Sequence, residues 1–412
     1  MNVPAIVAKN FRIEETKDSI EVKCDVSSDG FPEQLVIQVH PDNVPAIDIE
    51  EPNWAAVLLI YQAMLMGRDL VIEADLSPML VDNMRGDLTA LLKNYEPSLN
   101  AIEIETGLSS SPNYLNKSKD IATGFSAGVD SFTTCRLYTR PEVPPGVRLT
   151  GLAIFDFGAL GPKDQIRDLM SPARKRCQTY ADSLGLKTYS LSGNIDEIYA
   201  PAAKYGVADL PKTVGLRNAA GALLLQKEIG IYRPSPNVGY DQASYGPATN
   251  TEVLDAVMQP LLSTEGLQFR PGAAGMSRRS KIAYLADFPD AQKFLDVCVN
   301  PDQRERYQGA RINCSKCWKC INTMATLEVL GKLDNFSTVF DLPYYHQNRR
   351  RLLQMVANMS LWPRYRNWIR EHEELREMGL DVPRPELRKR VRKVLGNGKR
   401  ALEKRLSSRC TF

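Results

Sequence analysis

Residues 124–131 read Gly-Phe-Ser-Ala-Gly-Val-Asp-Ser, and they lie where a predicted strand meets a predicted helix. The small side chains at 126–128 allow a tight turn and a close approach of the backbone to a ligand. Backbone N–H groups in such a turn, ahead of a helix N-terminus, form an anion site, and Ser126 and Ser131 add hydroxyl donors. No Gly-Lys-Ser/Thr sequence follows, so the stretch is not a Walker loop. The simpler alternative is a turn in which Asp130 only caps the helix.

Strand-like and helix-like segments alternate strictly from residue 120 onward. The predicted strands cover 121–125, 149–155 and 188–191, and the predicted helices run to 138, over 168–184 and over 217–229. Strands that alternate with helices predict an α/β fold with a doubly wound parallel sheet.

The first 118 residues are predicted to form a separate α/β accessory domain. Its predicted strands are 19–26, 34–39, 70–74 and 101–105, and its predicted helices are 52–65, closed by Gly67, and 82–92. Residues 109–119 have the composition of a linker. The predicted domains are therefore 1–118, 119–335 and a helical C-terminal extension over 336–412.

Length and composition exclude several classes of protein. The chain has 412 residues, of which 43% are hydrophobic and 25% charged, which excludes a disordered, collagenous or coiled-coil protein. The net charge of +3 is too small to mark the whole chain as a nucleic-acid binder. Residues 381–412 hold eleven Lys/Arg and three Asp/Glu, so nucleic-acid binding by this tail stays open but is not favoured over a solvated helical face.

No secretory signal or membrane span is predicted. Residues 1–20 carry Glu14, Glu15 and Asp18, and the apolar stretch 54–67 is shorter than a span requires. The expectation is a cytoplasmic protein without a membrane partner.

Four cysteines have metal-ligand spacing. Cys314, Cys317 and Cys320 form two successive C-x2-C steps, and Cys298 is the nearest candidate for a fourth ligand. Four thiolates suit a tetrahedral, structural Zn²⁺, and an iron–sulfur cluster is the alternative.

The loop at 124–131 resembles the Ser-Gly-Gly-x-Asp-Ser loop of the PP-loop ATP pyrophosphatases, with Ala127 in place of a glycine. Over 120–331 the chain resembles the 7-cyano-7-deazaguanine synthase family. The further matches are an aromatic-Gly turn at 153–158, the pair Arg217-Asn218, Asp241 with Tyr245, Lys281-Ile282, and the four cysteines. The chain departs from that family in the long segment before the loop, in Gly246-Pro247, and in its C-terminal part.

The resemblance implies an ATP-dependent ligase that adenylates a carboxylate with release of pyrophosphate. The acid would be 7-carboxy-7-deazaguanine or a similar compound, and the product an amide, a nitrile or a conjugate with a protein amine. Related proteins of antiphage operons make such conjugates, and residues 1–118 would then contact a protein partner. The acid, the amine and the oligomeric state stay open, with a homodimer as one possibility.

The resemblance also implies roles for individual residues. The ATP-binding residues would be Ser126, Ala127, Gly128, Val129, Asp130 and Ser131, with Phe155 and Gly158 near the adenine. Mg²⁺ would bridge the phosphates with help from Asp130. The catalytic residues would be Asp130, Ser131, Arg217 and Lys281, and the acceptor pocket would be lined by Asn218, Tyr240, Asp241 and Tyr245.

Two other hypotheses fit the same motifs. One is a PP-loop enzyme of the tRNA-thiolation type, which would use a redox-active or cluster-binding cysteine set and the basic tail. The other is a scaffold that binds nucleotide without catalysis and engages proteins through residues 1–118.

Overall fold

The computed structural model describes residues 4–386 except 18, 113–118, 159–162, 201–209, 248–250, 300–311 and 360–366. The chain divides into two compact units. The first unit comprises residues 1–285 and 294–296, and the second comprises 286–293 and 297–412.

The first unit is built on one ten-stranded sheet. Its strands are β1 (Ile6–Glu15), β2 (Ile20–Ser27), β3 (Gln34–Val39), β4 (Leu70–Leu76), β5 (Ile104–Leu108), β6 (Asp120–Gly124), β7 (Gly151–Asp156), β8 (Lys187–Gly193), β9 (Ile229–Arg233) and β10 (Gln268–Phe269). They lie in the order β10-β9-β6-β7-β8-β3-β2-β1-β4-β5. The strands β10-β9-β6-β7-β8 are parallel, as are β1-β4-β5.

The described helices are α1 (Asn53–Met66), α2 (Pro78–Arg85), α3 (Asp87–Tyr95), α4 (Val129–Thr139), α5 (Lys163–Leu184), α6 (Ile195–Tyr199), α7 (Leu210–Leu224), α8 (Asp255–Met258), α9 (Arg278–Leu285), α10 (Pro289–Phe294), α11 (Trp318–Val329), α12 (Leu342–Met359) and α13 (Asn367–Glu377). The α/β class predicted from the sequence is confirmed. The sheet is mostly parallel, with three antiparallel pairings that the sequence did not predict.

Strands β2 and β3 lie between the two parallel blocks, and the antiparallel pairing of β3 with β8 is the joint between the strands before and after residue 118. Two buried asparagines reinforce this joint with side-chain amides that imitate a backbone partner. Asn43 accepts from the N–H of Ser190 and donates to the carbonyl of Thr188, both at 2.9 Å. Asn194 accepts from the N–H of Val36 at 2.8 Å and donates to the carbonyl of Gln34 at 2.9 Å. The predicted boundary at 118/119 thus falls within one sheet, and independent folding of 1–118 stays a prediction.

Helix α1 is buried on all sides, which explains why its sequence is apolar except for Asn53 and Gln62. All fourteen of its residues are buried, and it packs against α7 and β4. The helix ends as predicted at Gly67, whose φ of +63° allows the N–H of Arg68 to donate to the carbonyl of Ala63 at 3.0 Å. Among the described residues, no helix combines the length and the apolar character needed to cross a bilayer.

Several predicted elements differ from the observed ones. Residues 82–92 do not form a single helix, because Gly86 separates α2 from α3 and Ser77 caps the start of α2. Strand β1 was not predicted. Helix α7 begins at Leu210 and ends at Leu224, so the predicted helix 217–229 overlaps only its second half and runs into β9.

The second unit is largely helical where it is described. In it, Glu328 of α11 accepts hydrogen bonds from the hydroxyl of Tyr345 and the Nε of Arg349, both at 2.7 Å, which ties α11 to α12. The basic segment 387–412 lies outside the described residues, so the hypothesis of a nucleic-acid-binding tail stays open.

We expect the substitution Leu59→Ala to lower the free energy of unfolding of the first unit by about 3 kcal/mol. Leu59 is fully buried in α1, and its truncation leaves a cavity that a helix packed on all sides cannot close. The matched control Met79→Ala, at a side chain that is 45% exposed, should change it by less than about 1 kcal/mol. Urea unfolding measures both, and equal losses would contradict the burial of α1.

Candidate functional site

Several of the residues predicted to bind ATP or the acceptor follow three neighbouring strands of the sheet. The loop at 125–128 follows β6, the Phe157-Gly158 turn follows β7, and Tyr240 lies in the connection after β9. Because β6, β7 and β9 are parallel neighbours, the segments that leave their carboxyl ends begin at the same sheet edge, where α/β proteins bind ligands.

The loop at 125–128 makes the tight turn that its small residues predict. Ala127 has a φ of +59°, in the left-handed region, and is the position where the related motif has glycine. The hydroxyl of Ser126 accepts from the N–H of Gly128 at 3.4 Å, and the hydroxyl of Ser131 donates to the carbonyl of Gly128 at 3.1 Å. The N–H of Asp296 donates to the carbonyl of Ala127 at 2.8 Å and holds the turn from outside.

Asp130 is not the cap of α4, which is Gly128, and it receives two cations from α9. Its Oδ1 accepts from the ammonium of Lys281 at 2.9 Å, and its Oδ2 accepts from the guanidinium of Arg278 at 3.0 Å. Lys281 is fully buried and also donates to the carbonyl of Pro236 at 2.6 Å. The predicted residues Asp130 and Lys281, 151 positions apart, are therefore in direct contact beside the loop.

Arg278 and its neighbours were not found from the sequence. Arg278 also donates to the side-chain oxygen of Asn237 at 2.9 Å, and the amide of Asn237 donates to Glu252 at 2.9 Å. Arg278 lies three residues before Lys281, which is about one helical turn. The sequence Arg-Arg-Ser-Lys at 278–281 therefore indicates a second cation on the same face of the helix as Lys281. Asn237 and Glu252 carried no such signal.

Arg217 holds the turn after β7. It is 2% exposed, and its guanidinium donates to the carbonyl of Phe157 and to Asp196, both at 2.6 Å, and lies over the ring of Tyr199. Gly158 is required there, because its φ is +95° and a Cβ would lie 2.5 Å or less from Arg217 and Asp196. The structure thus brings together Arg217, predicted as catalytic, and Gly158, predicted to lie near the adenine, at one turn.

The remaining predicted residues differ in exposure. The ring of Phe155 stacks on Phe157 and Tyr232 and covers Gly221 of α7, so its side chain is engaged in packing. The side chains of Tyr240 and Tyr245 are 58% and 57% exposed, so their faces are accessible for stacking, and Asp241 is exposed beside them. Asn218 is half-buried on α7.

A buried acid near α7 also escaped the sequence analysis. Asp255 lies against Gly215, and its Oδ1 has no hydrogen-bond partner within the described residues. Burial, and then the charge of Glu252, raise the pKa of Asp255 to about 8, so this carboxyl is mostly protonated at neutral pH. The sequence contains no pattern that would indicate that Asp255 is buried rather than exposed.

The four cysteines of the second unit converge as predicted. The sulfur atoms of Cys298, Cys314, Cys317 and Cys320 all lie within 4.8 Å of one another. The Cys317–Cys320 and Cys314–Cys320 sulfur separations are 3.4 and 4.0 Å, close to the roughly 3.8 Å edge of a tetrahedron of Zn–S bonds. Hydrogen bonding from the Cys298 thiol lowers the pKa of Cys314 and, to about 7, that of Cys317, whereas the pKa values of Cys298 and Cys320 are raised, the first by hydrogen bonding with Cys314 and the second by burial. The set can hold one metal ion, and its spacing suits zinc.

We expect Ala127→Gly to raise the free energy of unfolding by about 1 kcal/mol, because glycine adopts a φ of +59° without the steric cost that alanine carries. Ala219→Gly, in the middle of α7, is the matched control and should lower it by about 1 kcal/mol or more. Chemical denaturation measures both variants. Losses of similar size in the two would show that Ala127 does not hold the left-handed conformation.

We expect the purified protein to carry about one zinc ion per chain, measured by mass spectrometry of the metal content. Cys317→Ser should reduce this content at least fivefold, because a hydroxyl is a much weaker zinc ligand than a thiolate. Cys24→Ala removes a cysteine buried in β2 and should leave the zinc content unchanged. Equal zinc in the two variants would contradict the site.

Comparison with known proteins adds no relative: no family model matches the chain, and no curated protein or solved structure matches it.

Proposed function

We propose that this protein is an ATP-dependent ligase that cleaves ATP to AMP and pyrophosphate and activates a carboxylate as its adenylate. The observation that carries the proposal is the contact of buried Lys281 with Asp130 at the turn between β6 and α4. A buried ion pair costs desolvation energy, so its presence beside an anion-binding turn favours a functional role over a purely structural one.

The loop supplies the groups that hold phosphates. The backbone turns through Ala127 into the N-terminus of α4, and the hydroxyls of Ser126 and Ser131 lie 3.5 Å apart beside it. Lys281 and Arg278 add positive charge, which Asp130 balances and keeps in place. Negative charge builds up on the phosphates as pyrophosphate leaves. Lys281 and Arg278 would stabilise this charge from the positions in which Asp130 already holds them.

The expected role of Mg²⁺ fits this arrangement only in part. Both carboxylate oxygens of Asp130 already accept a hydrogen bond from a cation. A metal ion would therefore reach Asp130 only through lone pairs that Lys281 and Arg278 leave open. When bound, Mg²⁺ would supply further neutralisation of the phosphates. The role that we assign to Asp130 itself is to orient the two cations.

The acceptor pocket would lie near Tyr240, Asp241 and Tyr245. The two exposed rings offer stacking surfaces for a flat heterocycle, and the Asp241 carboxylate can accept its N–H groups. This chemistry suits 7-carboxy-7-deazaguanine or a similar acid, with ammonia or a protein amine as the second substrate. Arg217 would act indirectly, through the turn at Phe157. The four cysteines would hold a structural Zn²⁺.

The direct test follows AMP formation. The protein is incubated with ATP, Mg²⁺ and 7-carboxy-7-deazaguanine, with ammonium in one arm and candidate acceptor proteins in another. AMP is measured by chromatography and adducts by intact mass. Formation of AMP that depends on the acid supports the proposal. ATP–pyrophosphate exchange is then measured with a panel of other carboxylates. Exchange with one of them would show that the reaction class is right and the acid wrong, and no exchange with any acid would contradict the ligase.

We expect Lys281→Met to lower the rate of AMP formation at least a hundredfold, since methionine keeps the volume and removes the charge beside the loop. Lys93→Met, at an exposed position of α3, is the matched control and should retain the full rate. Thermal unfolding of both variants shows whether Lys281→Met is folded. A folded Lys281→Met protein with the wild-type rate would overturn the role of this lysine.

A further inference from the structure

A second site is suggested by a cavity of about 440 Å³ in the first unit. It lies between α5 and the strands β7 and β8, next to the segment 40–43 that follows β3. Its lining runs from Leu186 and Lys187 at the amino end of β8 to Ile154 and Ser190 in the middle of β7 and β8. A cavity of this volume is in the range of small-molecule sites.

The cavity is lined by more positive than negative charge. Arg174 and Lys175 on α5 and Lys187 on β8 line it, and Asp42 is the one acid among its described lining residues. Asp42 is 85% exposed and faces the ring of His40 at 3.5 Å, so it points toward solvent. Lys187 is paired with Glu228. The charges available to a ligand are therefore those of Arg174 and Lys175.

Two buried polar atoms in the cavity wall lack partners. The Nε of Arg174 and the hydroxyl of Thr188 are both buried and make no hydrogen bond within the described residues. Burial lowers the pKa of Arg174, and the negative charge of Asp156 only partly offsets this effect. Both atoms lie behind the accessible surface of the cavity, so a ligand would meet the accessible part of the Arg174 side chain rather than these two atoms.

Apolar residues form the rest of the wall. Ile154 of β7 and Leu186, just before β8, line the same cavity. A ligand that fits must therefore carry an anionic group with several oxygen atoms for Arg174 and Lys175, and an apolar or flat body for these two side chains. Inorganic phosphate alone would leave the apolar wall uncovered.

We propose that this cavity binds a small organic phosphate through Arg174 and Lys175, with the body of the ligand against Ile154 and Leu186. The site is separate from the loop at 125–128, and the proposal does not depend on the ligase activity. A ligand here would contact β7, which lies beside β6, and β8, which pairs with β3.

The test is a calorimetric titration of the full chain with phenyl phosphate, which combines one phosphate with one flat apolar group. We expect saturable binding that is at least threefold tighter than that of inorganic phosphate. Arg174→Gln should raise the dissociation constant at least tenfold, and Lys175→Gln, at an exposed side chain that does not affect folding, at least threefold. Lys93→Gln, an exposed lysine outside the cavity, should bind as the wild type does.

Lys281→Met separates this site from the loop, because binding in the cavity should persist in that variant while binding at the loop weakens. Loss of the titration in Lys281→Met but not in Arg174→Gln would place the ligand at the loop and overturn the proposal. Wild-type protein that binds no phenyl phosphate, or Arg174→Gln and Lys175→Gln variants that bind it unchanged, would overturn it as well.

Discussion

The antiparallel pairing of β3 with β8 is the interaction on which the first unit depends. It joins the parallel block β10-β9-β6-β7-β8 to the antiparallel strands β3-β2-β1, and the side chains of Asn43 and Asn194 extend its hydrogen bonding. Helix α1 contacts β1 and β4 of one block and α7 of the other. A helix with no exposed face must be packed against other elements on every side. The pairing of β3 with β8 brings those elements together around α1.

The buried charge of Lys281 near the loop at 125–128 also depends on partners from several elements. The ammonium of Lys281 is fully buried, and a buried charge is tolerated only when it is paired and hydrogen-bonded. Asp130 and the carbonyl of Pro236 supply that pairing, while Arg278 extends it to Asn237 and Glu252. The ends of β6 and β9 and helix α9 are thus linked by one polar network. A ligand with negative charge would enter a site whose cations are already in position.

The two ends of the parallel strands have different chemistry. At the carboxyl ends, short turns bring backbone N–H groups and helix N-termini together, which suits phosphates held by the main chain. The cavity beside Arg174, which extends from the amino end of β8 to the middle of β7, offers side-chain cations and an apolar wall instead. The two proposed anion sites would therefore recognise their ligands through different groups, the main chain at one and side chains at the other.

Local patterns in the sequence were sufficient for much of the fold. The alternation of strands and helices after residue 120, the end of α1 at Gly67, the turn at 125–128 and the C-x2-C-x2-C cluster are each encoded in a few adjacent residues, and the structure confirms these features. The break at Gly86 and the full length of α7 were missed, because tertiary packing outweighs weak local preferences.

The sequence by itself determined the fold class, the position of the loop and the set of four cysteines, because these depend on periodicity and on spacing along the chain. Only the tertiary structure decided that β3 pairs with β8, that Arg278 joins Lys281 on Asp130, that Asp255 is buried and that Arg174 lines a cavity. Each of these involves residues far apart in the chain. Their contacts depend on sheet order and helix packing, which a single sequence does not reveal through any local pattern.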